Sequence, residues 1–225
     1  MPITIHKQTI QFLKELKKHN DRDWFHANKE KYDAAKENFH EFVQVLIKKI
    51  AQFEPALAEI NAKDCIFRIN RDIRFAKDKS PYKINFGALL SGKANLHKSA
   101  YYLHLEPNQS FISAGIYMPD AKTLKAIRQE IVYNGEAFLK IIENKNFKKY
   151  FILDNEKLVN VPQGFDKNHP LAELLKCKQM IALHSIESDE EVLSEKYSDY
   201  CTTVFKMLQP FNKFLNEAIS DIEKE

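Results

Sequence analysis

Apolar side chains recur at intervals of three and four along the first fifty residues. After Thr9 a short amphipathic piece carries Ile10, Leu13 and Leu16 on one face, and Asn20 stands where the cap of a second, longer helix would be. Trp24, Tyr32, Ala35, Phe39, Phe42, Leu46 and Ile50 carry the stripe onward. A helix of about thirty residues, about 45 Å long, is expected to end before Pro55 and to flank a sheet.

The period then changes to two. Between Cys65 and Phe75 the odd positions Cys65, Phe67, Ile69, Ile73 and Phe75 are apolar, interrupted only by Arg71, while Arg68, Asn70, Asp72 and Arg74 fill the even ones. A strand with one greasy face is expected there. Phe86 to Ser91, Ala100 to Glu106 and Ser110 to Met118 are further strand candidates. Pro107-Asn108-Gln109 is short enough to join the last two as an antiparallel hairpin. In the Ala100 to Glu106 candidate, Tyr101, Leu103 and Leu105 should face a core and Tyr102, His104 and Glu106 should face away.

Helical spacing returns after Pro119. Asp120 is placed to cap a stripe of Leu124, Ile127 and Ile131, and Gly135 separates it from a second piece running to about Glu143. A short strand near Lys157 to Val161, a Pro-Gln-Gly turn and a brief helix after Pro170 follow. Ser188 and Glu191 have capping-box spacing. Leu193, Tyr197, Tyr200, Val204, Leu208, Phe211 and Leu215 form a last stripe, in which Pro210 should kink or break the helix. Strands bunched between helical regions predict an α+β fold, with a central, mainly antiparallel sheet flanked by N-terminal and C-terminal helices.

Composition narrows this picture. With 225 residues, 44% of them hydrophobic, only five glycines and eight prolines, and no linker or repeat, the sequence reads as one domain over residues 1–225. It lacks a secretory h-region and any apolar run of bilayer length, so a cytoplasmic protein with no membrane partner is expected. Cys65, Cys177 and Cys201 are odd in number and widely spaced, which reads as reduced and buried.

Charge is where the sequence becomes specific. Lysine supplies 29 of the 34 basic side chains, yet three of the five arginines, Arg68, Arg71 and Arg74, fall within seven residues. From Cys65 to Lys83 these three with Lys77, Lys79 and Lys83 outweigh Asp72 and Asp78, giving a local charge of +4 in a chain of net +3. Guanidinium presents a planar fork suited to carboxylate or phosphate, whereas lysine is a flexible point charge.

The run FRINRDIRFAKDKSPYK, Phe67 to Lys83, resembles the signature R-x-x-R-D-x-R-F-x-x-D-K-[ST]-P-Y-K of a widespread family of uncharacterised conserved proteins. The resemblance extends through FLKELKKHNDRDWF (Phe12 to Phe25), YYLHLEP (Tyr101 to Pro107), Gly115 to Ile131 and Pro162 to Lys176, which is nearly the whole chain. It implies a shared fold and carries no activity with it.

On an extended strand, Arg68 and Arg74 would share the polar face with Asn70 and Asp72, and Arg71 would point into the apolar one. The following loop, with Ser80-Pro81 favouring a turn, would let Lys77, Lys79 and Lys83 converge on whatever the arginines hold. The ligand expected for Arg68, Arg71, Arg74, Lys77, Lys79 and Lys83 is phosphate-bearing, either a nucleotide or nucleic-acid backbone. Two alternatives stand beside it. Asp72, His104 and Glu106 could meet and process a phosphoester, or the charges could pair internally in a structural or interaction domain. No cofactor and no metal site are expected, because H-x-H, H-E-x-x-H, a nucleophile elbow and a Walker loop are all missing from the sequence.

Overall fold

The computed structural model describes residues 3–91, 98–153 and 156–220. Ten α-helices and five strands among the described residues give the expected α+β class. The strands form one antiparallel sheet in the order β1-β2-β3-β5-β4. They are β1 (Phe86–Leu90), β2 (Ala100–Leu105), β3 (Phe111–Ile116), β4 (Ile152–Leu153) and β5 (Met180–Ser185). No helix among the described residues is long and apolar enough to cross a membrane.

Contacts gather the chain into two compact units. The first comprises Met1–Lys93, Tyr102–Ile112 and Ser185–Val204. It opens with α1 (Lys7–Lys18), α2 (Arg22–Ala27) and α3 (Lys29–Ile50). Phe12, Leu13 and Leu16 of α1 and Phe39, Phe42, Val43, Leu46 and Ile50 of α3 are fully buried or nearly so, as the stripes require. Phe39 stacks on Phe86 of β1 at 5.4 Å, and Phe42 on Tyr197 at 5.4 Å. Asn38 is the one polar side chain buried on α3. Its Oδ1 accepts from the His6 N–H at 2.9 Å and the Thr9 hydroxyl at 2.7 Å, and its Nδ2 donates to the Thr4 carbonyl, so the chain start is tied to the helix.

The expected thirty-residue helix is two helices. Asn28 interrupts it with φ −111° and ψ 24°, its side chain donating to the Trp24 carbonyl at 2.9 Å. Asparagine amides compete for main-chain partners in this way, which is why they favour helix ends. α3 is therefore 22 residues, about 33 Å. The cap of α2 is Asp21, which accepts from the Trp24 N–H at 2.8 Å, and not Asn20.

The expected strand from Cys65 to Phe75 is also absent. Cys65 ends the single turn α4 (Ala62–Cys65), and beyond it only Ile66 and Asn70 make isolated bridges, to Ala88 and Tyr82. The greasy face does not form: Ile69 is buried, but Phe67 and Phe75 are exposed. On β2, in contrast, Tyr101, Leu103 and Leu105 are buried while Tyr102, His104 and Glu106 are less so, as the alternation predicts.

The second unit comprises Ala94–Tyr101, Ser113–His184 and Phe205–Glu225. It holds α5 (Ala121–Tyr133), α6 (Gly135–Ile142), α7 (Lys145–Tyr150) and α8 (Ala172–Leu175). Asp120 caps α5 as expected, accepting from the Thr123 N–H at 2.7 Å. Phe138 packs on Phe211 and Phe214, and Phe147 on Phe211. Gly115 of β3 has φ +130°, and a Cβ there would lie 1.9 Å from the Met180 carbonyl oxygen. Only glycine allows that approach.

One expectation fails in this half of the sequence and another is narrowed. Lys157 to Val161 is not a strand: Lys157 makes one bridge, to Cys177, and Val159 is exposed. The strands that do form, β4 and β5, pair Ile152 with Leu183 and Leu153 with Ala182. Near the end, Ser188 caps α9 (Asp189–Val192) by accepting from the Glu191 N–H, and Leu193 lies between α9 and α10 (Tyr197–Ile219). α10 runs through Pro210, so of the kink or break expected there the break is absent. Phe205, Leu208, Phe211 and Leu215 are fully buried, so packing on both sides of the proline outweighs one lost helical hydrogen bond. All three cysteines are buried and outside any disulfide, as expected.

Candidate functional site

The arginine-rich segment is a loop on a short stem. Phe67 N–H donates to the Gly87 carbonyl at 2.9 Å, Lys83 N–H to Ile69 at 2.8 Å and Arg71 N–H to Pro81 at 2.9 Å. The chain therefore goes out along Ile69 and Arg71 and comes back along Pro81 and Lys83. Asn20, between α1 and α2, holds the returning arm: its Nδ2 donates to the Tyr82 carbonyl and its Oδ1 accepts from the Tyr82 N–H. Tyr82 itself is buried and stacks on Phe25 at 3.9 Å.

The loop is braced by its own charges. Arg71 does not enter an apolar face; its Nη1 donates to Asp78 Oδ2 at 2.5 Å and to the Ser80 carbonyl at 3.1 Å. Asp78 Oδ1 accepts from both the N–H and the hydroxyl of Ser80. These Ser80 bonds, and then Arg71, hold the Asp78 carboxyl well below the usual carboxylate range. Arg74 grips Asp72 bidentately, Nε to Oδ1 at 3.0 Å and Nη2 to Oδ2 at 2.7 Å, and the Asp72 carboxyl is lowered for that reason. Lys79 Nζ turns back to the carbonyls of Ile73 and Arg74.

Beneath the loop lies a cleft of about 400 Å³, within the range of small-ligand sites. Its polar lining includes Lys17, Asn20, Arg71, Asp78, Lys83 and Asn85. Of the six expected ligand-binding cations, Arg71 and Lys83 reach it, whereas Arg68, Arg74, Lys77 and Lys79 are exposed on the loop and its stem. Lys17 comes from the last turn of α1, where a cation complements the helix dipole. Lys83 is half-buried, and its ammonium has no carboxylate partner among the described residues. Burial and then the nearby Arg68 push its pKa down. Sequence reasoning missed Lys17, Asn20 and Asn85; only the position of the first two inside the Phe12 to Phe25 resemblance pointed to them.

His104 stands against the same cleft residues. Its Nε2 lies 3.2 Å from Glu106 Oε2, and a carboxylate can only accept, so the neutral ring keeps its hydrogen on Nε2. Nδ1 then accepts from the Tyr102 hydroxyl at 3.0 Å and from Asn85 Nδ2 at 3.4 Å. Phe111 stacks on the ring at 4.4 Å. Burial lowers the His104 pKa more than Glu106 raises it, and burial pushes the Tyr102 phenol up to about 12. Glu106 also reaches Lys17 at 3.5 Å. His104 and Glu106, two residues apart, thus meet, but among the described residues Asp72 bonds within the loop, to Arg74, and joins neither. No group of three possible metal ligands exists among the described residues.

The family model of the conserved hypothetical proteins DUF2461 matches residues 8–214, a span that includes the loop, the cleft and the His104 network. The chain belongs to that family. No curated protein and no solved structure matches it. In this DUF2461 chain, then, the site rests on its own geometry: a cleft edged by three cations, with a charge-braced loop above it.

Proposed function

We propose that the cleft binds a phosphate-bearing ligand, a nucleotide or a stretch of nucleic-acid backbone. The observation that carries this reading is Lys83. Lys83 is half-buried and lines the cleft beside Arg71 and Lys17, and its ammonium, which lies over the Phe67 ring at 5.2 Å, has no counter-ion among the described residues. An unpaired cation withdrawn from water is unfavourable, and an entering anion relieves that cost. The only acid on the lining, Asp78, is already committed to Arg71 and Ser80, while Asn20 and Asn85 add neutral polar groups.

The phosphoester-processing alternative has less support. Asp72 is gripped by Arg74, and the basic nitrogen of His104 is taken by Tyr102 and Asn85.

The test is a melting-temperature titration with inorganic phosphate, pyrophosphate and nucleotides. A ligand that binds only the folded chain raises the melting temperature with concentration, by about 2.7 kcal/mol of stabilisation at a hundred times its dissociation constant. Phosphate also stabilises proteins non-specifically by exclusion from their surfaces, so the comparison is with Lys83→Gln and with Lys140→Gln on exposed α6 surface. The reading requires the rise to survive in Lys140→Gln and to collapse in Lys83→Gln. Equal rises in all three proteins sink it.

A further inference from the structure

We propose that the loop from Arg71 to Pro81 is a finger for single-stranded nucleic acid, with a base stacked on Phe75 and backbone phosphates on Arg68 and Lys77. This goes beyond the phosphate-bearing reading of the cleft, because Phe75, Arg68 and Lys77 lie outside the cleft lining. Phe75 is 96% exposed, whereas Phe12, Phe39, Phe42 and Phe205 are wholly buried or nearly so. A single exposed apolar side chain is ordinary on a protein surface. What distinguishes Phe75 is the rigidity and charge of its setting.

The chain leading into the ring is braced. Asp72 holds Arg74 through both the main-chain N–H and the guanidinium, and Lys79 Nζ bonds the carbonyls of Ile73 and Arg74. The stem is pinned by Asn20. Presenting a ring from a braced turn lowers the ordering cost of binding. The Arg74 guanidinium carbon lies 5.9 Å from the centre of the Phe75 ring, leaving a cation beside whatever stacks there.

The outer charge is one-sided. Both loop acids are neutralised inside the loop, Asp72 by Arg74 and Asp78 by Arg71. Arg68 and Lys77 make no hydrogen bond or ion pair among the described residues. An exposed aromatic ring on a loop whose stem and tip carry unpaired cations suits a single strand, since each base offers a π face and each phosphate a charge. A duplex keeps its bases stacked on one another and cannot use the ring. A lipid surface is poorly served, because the neighbours of Phe75 are Arg74, Ala76 and Lys77 and give little apolar area to insert.

The test uses the full chain, fluorescently labelled oligothymidylate and oligouridylate of about twelve nucleotides, a span one such site can cover, and anisotropy at several salt concentrations. Phe75→Ala is expected to weaken binding about tenfold or more, and Phe75→Trp to restore it. The salt slope should be unchanged in Phe75→Ala and reduced by about 0.7 in Lys77→Gln, which removes one phosphate contact. The phosphate-induced melting shift should not change in Phe75→Ala, whose side chain is on the surface. Oligonucleotide binding that ignores Phe75, or no such binding while the phosphate shift persists, overturns the finger and leaves the cleft standing. Binding that needs Phe75 without any phosphate shift supports the finger and removes the cleft. Phe75-dependent binding to phosphatidylserine vesicles in the absence of oligonucleotide binding also overturns it.

Discussion

Asn20 takes hold of Tyr82 as a neighbouring strand would, donating from Nδ2 to its carbonyl at 2.9 Å and accepting at Oδ1 from its N–H at 3.1 Å. One side chain satisfies both main-chain groups of a residue 62 positions away. The returning arm of the loop, and with it Lys83, is thereby fixed to the link between α1 and α2. The cleft wall depends on a polar clamp as much as on burial of the Tyr82 ring against Phe25.

Asn20→Ala should therefore cost about 1 to 2 kcal/mol in urea unfolding, since each hydrogen bond contributes about 1 kcal/mol net. Asn20→Asp keeps the acceptor but sets a carboxylate oxygen against the Tyr82 carbonyl, so it should rescue little. Amide exchange at Tyr82 should accelerate in both variants. Unchanged exchange there would mean that the clamp does not hold the arm.

Asp78→Asn should move stability and binding in opposite directions. The variant loses its charged partner for Arg71, so the melting temperature should fall, but the cleft loses its only negative charge. Affinity for inorganic phosphate should rise roughly two- to five-fold, the scale of an exposed charge interaction. The same titration reads both effects. A fall in affinity would show that Asp78 serves the cleft chiefly by placing Arg71.

The sequence was most legible where packing sets the period. The α3 stripe and the β2 alternation follow burial of one face, the Asp120 cap follows the need of a helix start for an acceptor, and the structure has them in place. Alternation from Cys65 to Phe75 was misleading because Phe67 and Phe75 are not core residues. Lys83 lies over the Phe67 ring at 5.2 Å and Arg74 over Phe75, so the aromatic groups partner cations at the surface. β5 was hidden for the opposite reason. Its buried Met180 and Ala182 alternate with the equally apolar Ile181 and Leu183, which erases period two. In the candidate site, clustered guanidinium marked the segment that forms the loop, and internal pairing, one of the alternatives the sequence left open, is what Arg74 makes with Asp72 and Arg71 with Asp78. Lys17 and Asn85 reach the cleft from distant elements, which no local pattern encodes.

His104 should give the chain a pH dependence with a definite sign. Burial holds its folded pKa below the ordinary value, against the weaker pull of Glu106. The unfolded chain takes up its proton first, near pH 6.5. The stabilisation is complete above that value and is lost as pH falls from it towards the lower folded pKa. Subtracting the stability of His104→Gln from that of the parent at pH 5 to 8 cancels the other titrating groups. The difference should be level from pH 7 upwards and decline below. An increase on acidification would mean that Glu106 outweighs burial.

Arg128 shows what guanidinium does in this chain away from the cluster. It is buried on α5, donating from Nε to the Leu175 carbonyl at 2.7 Å and from Nη2 to the Cys177 carbonyl at 2.9 Å. Two divergent donors on one plane join a helix to the residues leading into β5, a geometry that an ammonium cannot copy. Arg128→Met fills most of the volume but leaves both carbonyls without this donor, so unfolding in urea should become easier by about 2–4 kcal/mol. Arg128→Lys should recover less than half of that, because one nitrogen must choose between the two oxygens. Neither variant should alter the phosphate-induced melting shift, as Arg128 is not on the cleft lining. Full rescue by lysine would show that charge, and not the fork, is what this position needs.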